Sequence, residues 1–288
     1  MLESIAQFFT HPLANYWVGL KLVFGIYLGA LIVERLFPAE PNQPLRHIGF
    51  NLVYTLIFLF ITVTLPPWLS QWIKSNLGDF QQGLIRITAD DTVGGQLFLA
   101  FITLFVFDFF YYWFHRLQHE WTWLWPQHKL HHSDHSVNVT TGNRHHWLEE
   151  IIRVVLIIVP MSLLFNIKAP TLMLITFWMT FWGYFIHMNL RLKLGPLTPV
   201  IGGPQLHRIH HSVLPHHKNK NYAAFFPIYD IVFGSYCPPE KNEFPKTGLH
   251  TGQRLDTLRM AMFSPFIDWF NRLRGKPYTG SEANAPLD

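Results

Sequence analysis

Long apolar runs separated by short polar stretches set the rhythm of this chain, at residues 15–36, 47–68, 96–114, 151–165 and 170–187. A bilayer core takes about 20 mostly apolar residues in a helix. The first three runs meet that length. Lys21 lies near enough to one end of the first to snorkel, and Pro66-Pro67 closes the second. The fourth run is short for a full span and reads as re-entrant or tilted, paired with the fifth across Asn166-Ile167-Lys168-Ala169. A different pattern follows near the end. Phe263, Phe266, Ile267, Phe270 and Leu273 recur at helical spacing, with Arg259, Arg272, Arg274 and Lys276 around them. That suits either a helix in the headgroup plane or one packed on a water-facing domain. The final stretch, 279–288, reads as disordered. The expected class is all-α, a polytopic membrane helix bundle of about four to five segments.

Composition agrees with that class. Apolar residues make up 49% of the 288 and charged ones 14%, against about 25% charge in soluble domains. So much apolar surface excludes disorder, and the single cysteine, Cys237, excludes a disulfide scaffold. The net charge of +4 comes without a dense basic run, so no nucleic-acid partner is expected. The N-terminus has no basic region and carries Glu3, which argues against a cleaved signal peptide.

The basic residues instead follow the ends of apolar runs. Arg35 and Arg46 flank the first turn; Arg116, Lys129, Arg144 and Arg153 follow the third run; Arg191, Lys193, Arg208, Lys218 and Lys220 follow the fifth. Between runs two and three, Lys74 and Arg86 are offset by Asp79, Asp90 and Asp91. Positive loops face the cytoplasm, which puts the first, third and fifth exits there.

Against so few charges, 17 histidines stand out. They cluster as His115-x3-His119, His128-x2-His131-His132 and His207-x2-His210-His211. On a helix, positions i, i+3 and i+4 share a face, so each cluster aims two or three imidazoles one way. Composition alone gives roughly 0.06 copies of an H-x-x-H-H string, and there are two. Imidazole suits Fe, Zn, Cu and Ni. Eight rings exceed one metal's need and fit two adjacent ions better. The His-Glu-x-x-His pattern, a cysteine cluster and the Glu-x-x-His pattern of carboxylate di-iron bundles are all absent from the sequence. Two apolar passes separate His132 from His207, so both histidine-rich regions return to one side of the membrane.

These clusters resemble the three histidine boxes of the fatty acid hydroxylase superfamily, the sterol desaturase branch in particular. The surroundings agree: Asp108-Phe-Phe-Tyr-Tyr-Trp-Phe-His115, Arg144-x-His146-x-x-Glu149, His187-Met-Asn189, Asn221-Tyr222 and Asp230-Ile-Val-Phe-Gly234. One departure is Trp147, where the family commonly has proline. The resemblance covers about residues 96–237. It divides the chain into an N-terminal transmembrane region (1–95), a catalytic domain (96–237) and an amphipathic tail (238–288). It implies an integral membrane enzyme whose cytosolic helical cap holds two irons, with O2 as co-substrate. The reaction implied is hydroxylation, desaturation or ether cleavage of a lipid. The sequence carries no haem, flavin or NAD fingerprint, so the implied electron donor is external: a haem or iron-sulfur protein with its reductase.

The expected metal ligands are His115, His119, His128, His131, His132, His207, His210 and His211, joined through the resemblance by His187. His146 is a further site candidate, whereas His145 would face elsewhere on a helix. Asp108 lies two turns before His115 and either orients a ligand ring or serves as a buried polar partner. Glu149 and Asp230 read as acceptors behind the ligands or as ion-pair partners. His135, His216 and His217 read as loop histidines. The rival classes are a histidine-rich metal transporter or sensor and a zinc-dependent membrane hydrolase.

Overall fold

The first three apolar runs become three long helices in the computed structural model, which describes residues 2–77, 83–86, 88–89, 92–166 and 169–276. They are α1 (Leu2–Leu36), α2 (Leu45–Leu77) and α3 (Val93–Glu120). Their stretches Pro12–Leu36, Leu45–Asn76 and Val93–Glu120 are each long and apolar enough to cross a membrane. Leu28, Ile32, Val53, Leu97, Phe98 and Phe101 stay exposed along them, a surface suited to lipid rather than water. The chain is a polytopic helical membrane protein. Asp79, Asp90 and Asp91, the Ile167-Lys168 pair and residues 279–288 lie outside the described residues.

The expected stop at Pro66-Pro67 does not occur, and α2 runs on to Leu77. Proline fits the helical φ and forfeits its own backbone bond. Just before the pair, the Thr62 and Thr64 hydroxyls donate to the Leu59 and Phe60 carbonyls.

The fourth run is broken into α5 (Trp147–Arg153), a π-helical turn at Val154–Ile158 and α6 (Val159–Leu164). It ends in a two-residue strand, β2 (Phe165–Asn166), parallel to β1 (Ile85–Arg86). The chain then returns through the 19-residue helix α7 (Ala169–His187). Phe107 and Phe114 of α3 pack with Ile157, Met161 and Ile175 to join this pair to α3. Val23, Tyr27 and Leu59 pack with Val139 and Tyr184 to join α1 and α2 to α7.

Short helices cap one end of the bundle: α4 (Trp125–His132), α8 (Pro204–His210), α9 (Ile228–Val232) and α10 (Leu258–Leu273). α4 and α8 each carry a proline in their first turn, where its fixed φ nucleates a helix without losing a bond. The lead-in to α8 needs glycine, because a Cβ on Gly202 would lie 2.9 Å from the Ala224 carbonyl oxygen.

Candidate metal centre

Four elements deliver nine buried imidazoles to the junction between the long helices and the cap. The last turns of α3 carry His115 and His119, α4 carries His128, His131 and His132, α7 ends on His187, and α8 supplies His207 and His210 with His211 capping it. They gather in two groups. One holds His115, His119, His128, His132 and His210; the other holds His131, His187, His207 and His211. Within each, the ligand-capable nitrogens lie within 4.8 Å of one another. The His132 and His211 rings stack at 4.3 Å and 18° where the groups adjoin.

Hydrogen bonds from behind fix the tautomers of four rings. Nδ1 donates to the Tyr222 carbonyl from His115 (2.7 Å), to the Lys220 carbonyl from His210 (2.8 Å), to the Glu149 carboxylate from His128 (3.2 Å) and to the Gly183 carbonyl from His187 (2.5 Å). A neutral imidazole that donates from Nδ1 keeps a lone pair on Nε2. Yet Nε2 of His115 and Nε2 of His128 are 3.1 Å apart, lone pair against lone pair. In the second group, Nε2 of His187 lies 3.0 Å from that of His131 and 2.9 Å from that of His207. Nε2 of His119, His132 and His210 are buried with no hydrogen-bond partner. The opposed lone pairs of His115 and His128 and these unpartnered ring nitrogens are unfavourable unless cations take the lone pairs.

The electrostatics keep these rings in the ligand form. Burial first, and neighbouring imidazoles next, hold His131, His132, His207 and His211 well below the usual imidazole range. Burial takes His210 down to about 3. Neutral nitrogen donors in two adjoining groups fit a pair of first-row transition ions, and iron is among those imidazole suits.

Two carboxylates organise the strap that backs the first group. Asp108 accepts from the backbone N–H groups of Ala224, Phe225 and Phe226, at 2.7 to 3.2 Å. Asp230 accepts from Tyr222 and Ala223 N–H and from the Ser235 hydroxyl. Asp108 thus touches backbone rather than a ring, in the same segment whose Tyr222 carbonyl meets His115. Asn219 and Asn221 take left-handed φ of 57° and 59°, a conformation asparagine tolerates better than most residues. In this twisted segment the carbonyls of Lys220 and Tyr222 meet His210 and His115.

Glu149 sits behind both groups. Its Oε2 accepts from His128 and lies 3.1 Å from His145 Nδ1, and its Oε1 pairs with Arg153. Burial pushes this carboxyl up, but the His145 and His128 rings outweigh it and hold it well below the usual range. His145, expected to face elsewhere, stacks flat on His131 at 4.0 Å and 15°. His146 is not brought to the cluster. Its Nδ1 accepts from Leu148 N–H as the N-cap of α5 and its Nε2 donates to the Met262 carbonyl, which leaves no lone pair for a metal. The i,i+4 spacing of His145 and Glu149 was the available signal for choosing between the neighbours. Gln118 and Gln127, beside the first two boxes, bury amide atoms with no hydrogen-bond partner and carried no signal in the sequence. His217 is buried against Glu243 with His216 exposed beside it, as a separate group.

Residues 100–235 match the fatty acid hydroxylase family. An alkylglycerol monooxygenase of Xenopus tropicalis is 32% identical over 145 residues, 49% of this chain and 31% of that protein. An ornithine lipid hydroxylase of Rhizobium tropici is 30% identical over 169 residues, 59% of this chain and 50% of that protein. A very-long-chain aldehyde decarbonylase of Oryza sativa subsp. indica is 28% identical over 141 residues, 44% of this chain and 21% of that protein. The matched stretch thus spans half or less of these relatives' own length. No solved structure matches the chain. All nine clustered histidines, with Asp108, Glu149 and Asp230, fall inside the family match. With this match over residues 100–235 and these relatives, the chain fits the fatty acid hydroxylase superfamily.

Proposed function

We propose that this protein is a membrane-bound di-iron oxygenase that inserts oxygen into, or desaturates, a C–H bond of a lipid. The observation that carries the reading is the double imidazole cluster at the end of apolar helices, with lone pairs facing lone pairs. His115, His119, His128, His132 and His210 would hold one iron; His131, His187, His207 and His211 would hold the other. When bound, the iron pair supplies O2 activation and the oxidation of an unactivated C–H bond. The chain's own residues bind and orient. Tyr222, Lys220 and Gly183 carbonyls and the Glu149 carboxylate hold ring nitrogens in the ligand tautomer, and burial of every one of the nine rings excludes water.

The relatives are named for action on alkylglycerol, ornithine lipid and very-long-chain aldehyde, which supports a substrate with a long alkyl chain. Such a chain would reach the site from the bilayer. Electrons would come from a separate haem or iron-sulfur protein and its reductase, on the cytoplasmic side where the basic loops lie. In this reading residues 1–95 anchor, 96–237 catalyse and 238–288 form an accessory tail.

The test is lipid analysis of cells expressing the wild type or His131→Ala, grown under 18O2, with metal content measured on the purified proteins. The expected result is an 18O-labelled or dehydrogenated lipid made by the wild type alone, with about two irons per chain, one for each histidine group. Identical lipid profiles, or a zinc-loaded protein that alters lipids without O2, would overturn it.

A further inference from the structure

The terminal helix α10 packs with its polarity inverted. An ordinary surface helix turns its apolar stripe inward. Here the inward face is built of small residues: Ala261, 0% exposed, packs among Tyr54, Phe58 and Leu130, Ser264 is 6% exposed, and Pro265 is buried with them. Asp268, on the same side, pairs with Lys129 of α4, and the Met262 carbonyl accepts from His146. The large apolar residues point away from the protein. Phe263, Ile267, Phe270 and Leu273 are 56%, 51%, 53% and 75% exposed, with Phe266 beside them. Of this face, Phe266 makes ring contacts outside the helix, with His146 and Trp147, and water is a poor neighbour for the rest of it.

Two observations identify what covers it. The face continues a surface already assigned to lipid. Trp121 and Trp123, just past the end of membrane helix α3, are exposed, and Trp123 lies against α10: Trp269 donates to its carbonyl, and Arg272 stacks over its ring at 4.8 Å. Trp and Tyr at the end of a span mark the headgroup level. The charge is also one-sided. Arg259, Arg272, Arg274 and Lys276 flank the apolar stripe, whereas the helix's one acidic residue, Asp268, is turned inward.

We propose that α10 is an in-plane membrane anchor, its Phe263–Phe266–Ile267–Phe270–Leu273 face sunk into an anionic lipid surface and its Ala261–Ser264–Pro265 face carrying the histidine cap. The basic side chains at its C-terminal end meet lipid phosphates. Because α10 grips α4 through Lys129 and the N-cap of α5 through His146, lipid contact sets the height of the second histidine box above the bilayer.

Cys237 is the only cysteine, so a Cys237→Ser background accepts one nitroxide at a time on the full chain in nanodiscs. Labels replace Phe263, Ile267 or Phe270, with Lys241 as an exposed loop control. Electron paramagnetic resonance then compares accessibility to O2, which concentrates in lipid, with that to a water-soluble nickel chelate. The expected result is a several-fold excess of O2 over nickel accessibility at 263, 267 and 270, and the reverse at 241. Adding phosphatidylglycerol to phosphatidylcholine discs should move the α10 labels deeper, and Arg272→Gln/Arg274→Gln/Lys276→Gln should abolish that shift. Nickel-dominated accessibility at 263, 267 and 270 would overturn the anchor. So would dipolar broadening between two labelled chains in one disc, because the face would then belong to a second copy. A lipid-dependent shift that persists in the triple variant would overturn the anionic-lipid assignment.

Discussion

Asp108→Asn tests how the first metal group is held. The carboxylate accepts four hydrogen bonds from three backbone N–H groups, Ala224 and Phe225 on Oδ1 and Phe225 and Phe226 on Oδ2. An amide keeps one acceptor oxygen and turns an NH2 toward the other side, so at least one fully buried N–H faces a donor. An unsatisfied buried donor costs about 1–3 kcal/mol, and loss of a charged acceptor weakens the bonds that remain. The expected destabilisation is about 3 kcal/mol, a fall in melting temperature of roughly 6–12 °C for a domain of 150–250 residues. The second consequence separates this account from a plain packing defect. The strap pinned by Asp108 carries the Tyr222 carbonyl that fixes His115, and loss of such a partner weakens metal binding by about 10–100-fold. Thermal unfolding in detergent and metal retention against a graded chelator measure the two effects. A variant that melts with the parent and retains its metal at the same chelator concentration would refute the clamp.

Metal removal should itself destabilise the protein, because the apo cluster sets imidazole lone pairs against one another. A ligand at 100 times its Kd contributes about 2.7 kcal/mol, so the chelated protein should melt several degrees lower and recover on adding Fe(II) under anaerobic conditions; equal melting would count against a metal centre. Glu149→Gln should lower metal affinity by about 10–100-fold, since the charge that His128 and His145 share is lost; equilibrium dialysis reads it, and unchanged affinity would remove Glu149 from the support. Asn219→Gly should be tolerated while Asn219→Val loses about 1–2 kcal/mol through its left-handed φ; equal melting of the two would show that this backbone geometry is not demanded. His131→Ala and His210→Ala should abolish metal-dependent lipid oxidation without changing membrane insertion, and retained turnover would deny them a ligand role.

The helices and the histidine spacing were legible in the sequence because both are local. An apolar run long enough for a bilayer must close its own backbone bonds as a helix, and His128-x2-His131-His132 shares one face whatever surrounds it. Pro66-Pro67 misled because a proline pair stops a helix in water more surely than in a membrane bundle. Only the tertiary structure decided which neighbours meet. His145 rather than His146 reaches the cluster because the chain enters α5 there, with His146 spent as its cap and bonded to α10, more than a hundred residues away. Asp108 grips residues 224–226 instead of a ring because α3 and the strap come together across a similar separation. The periodicity of α10 announced an amphipathic helix but not which face the protein would claim. Small residues on one side allowed close packing there, and that left the aromatic side outward.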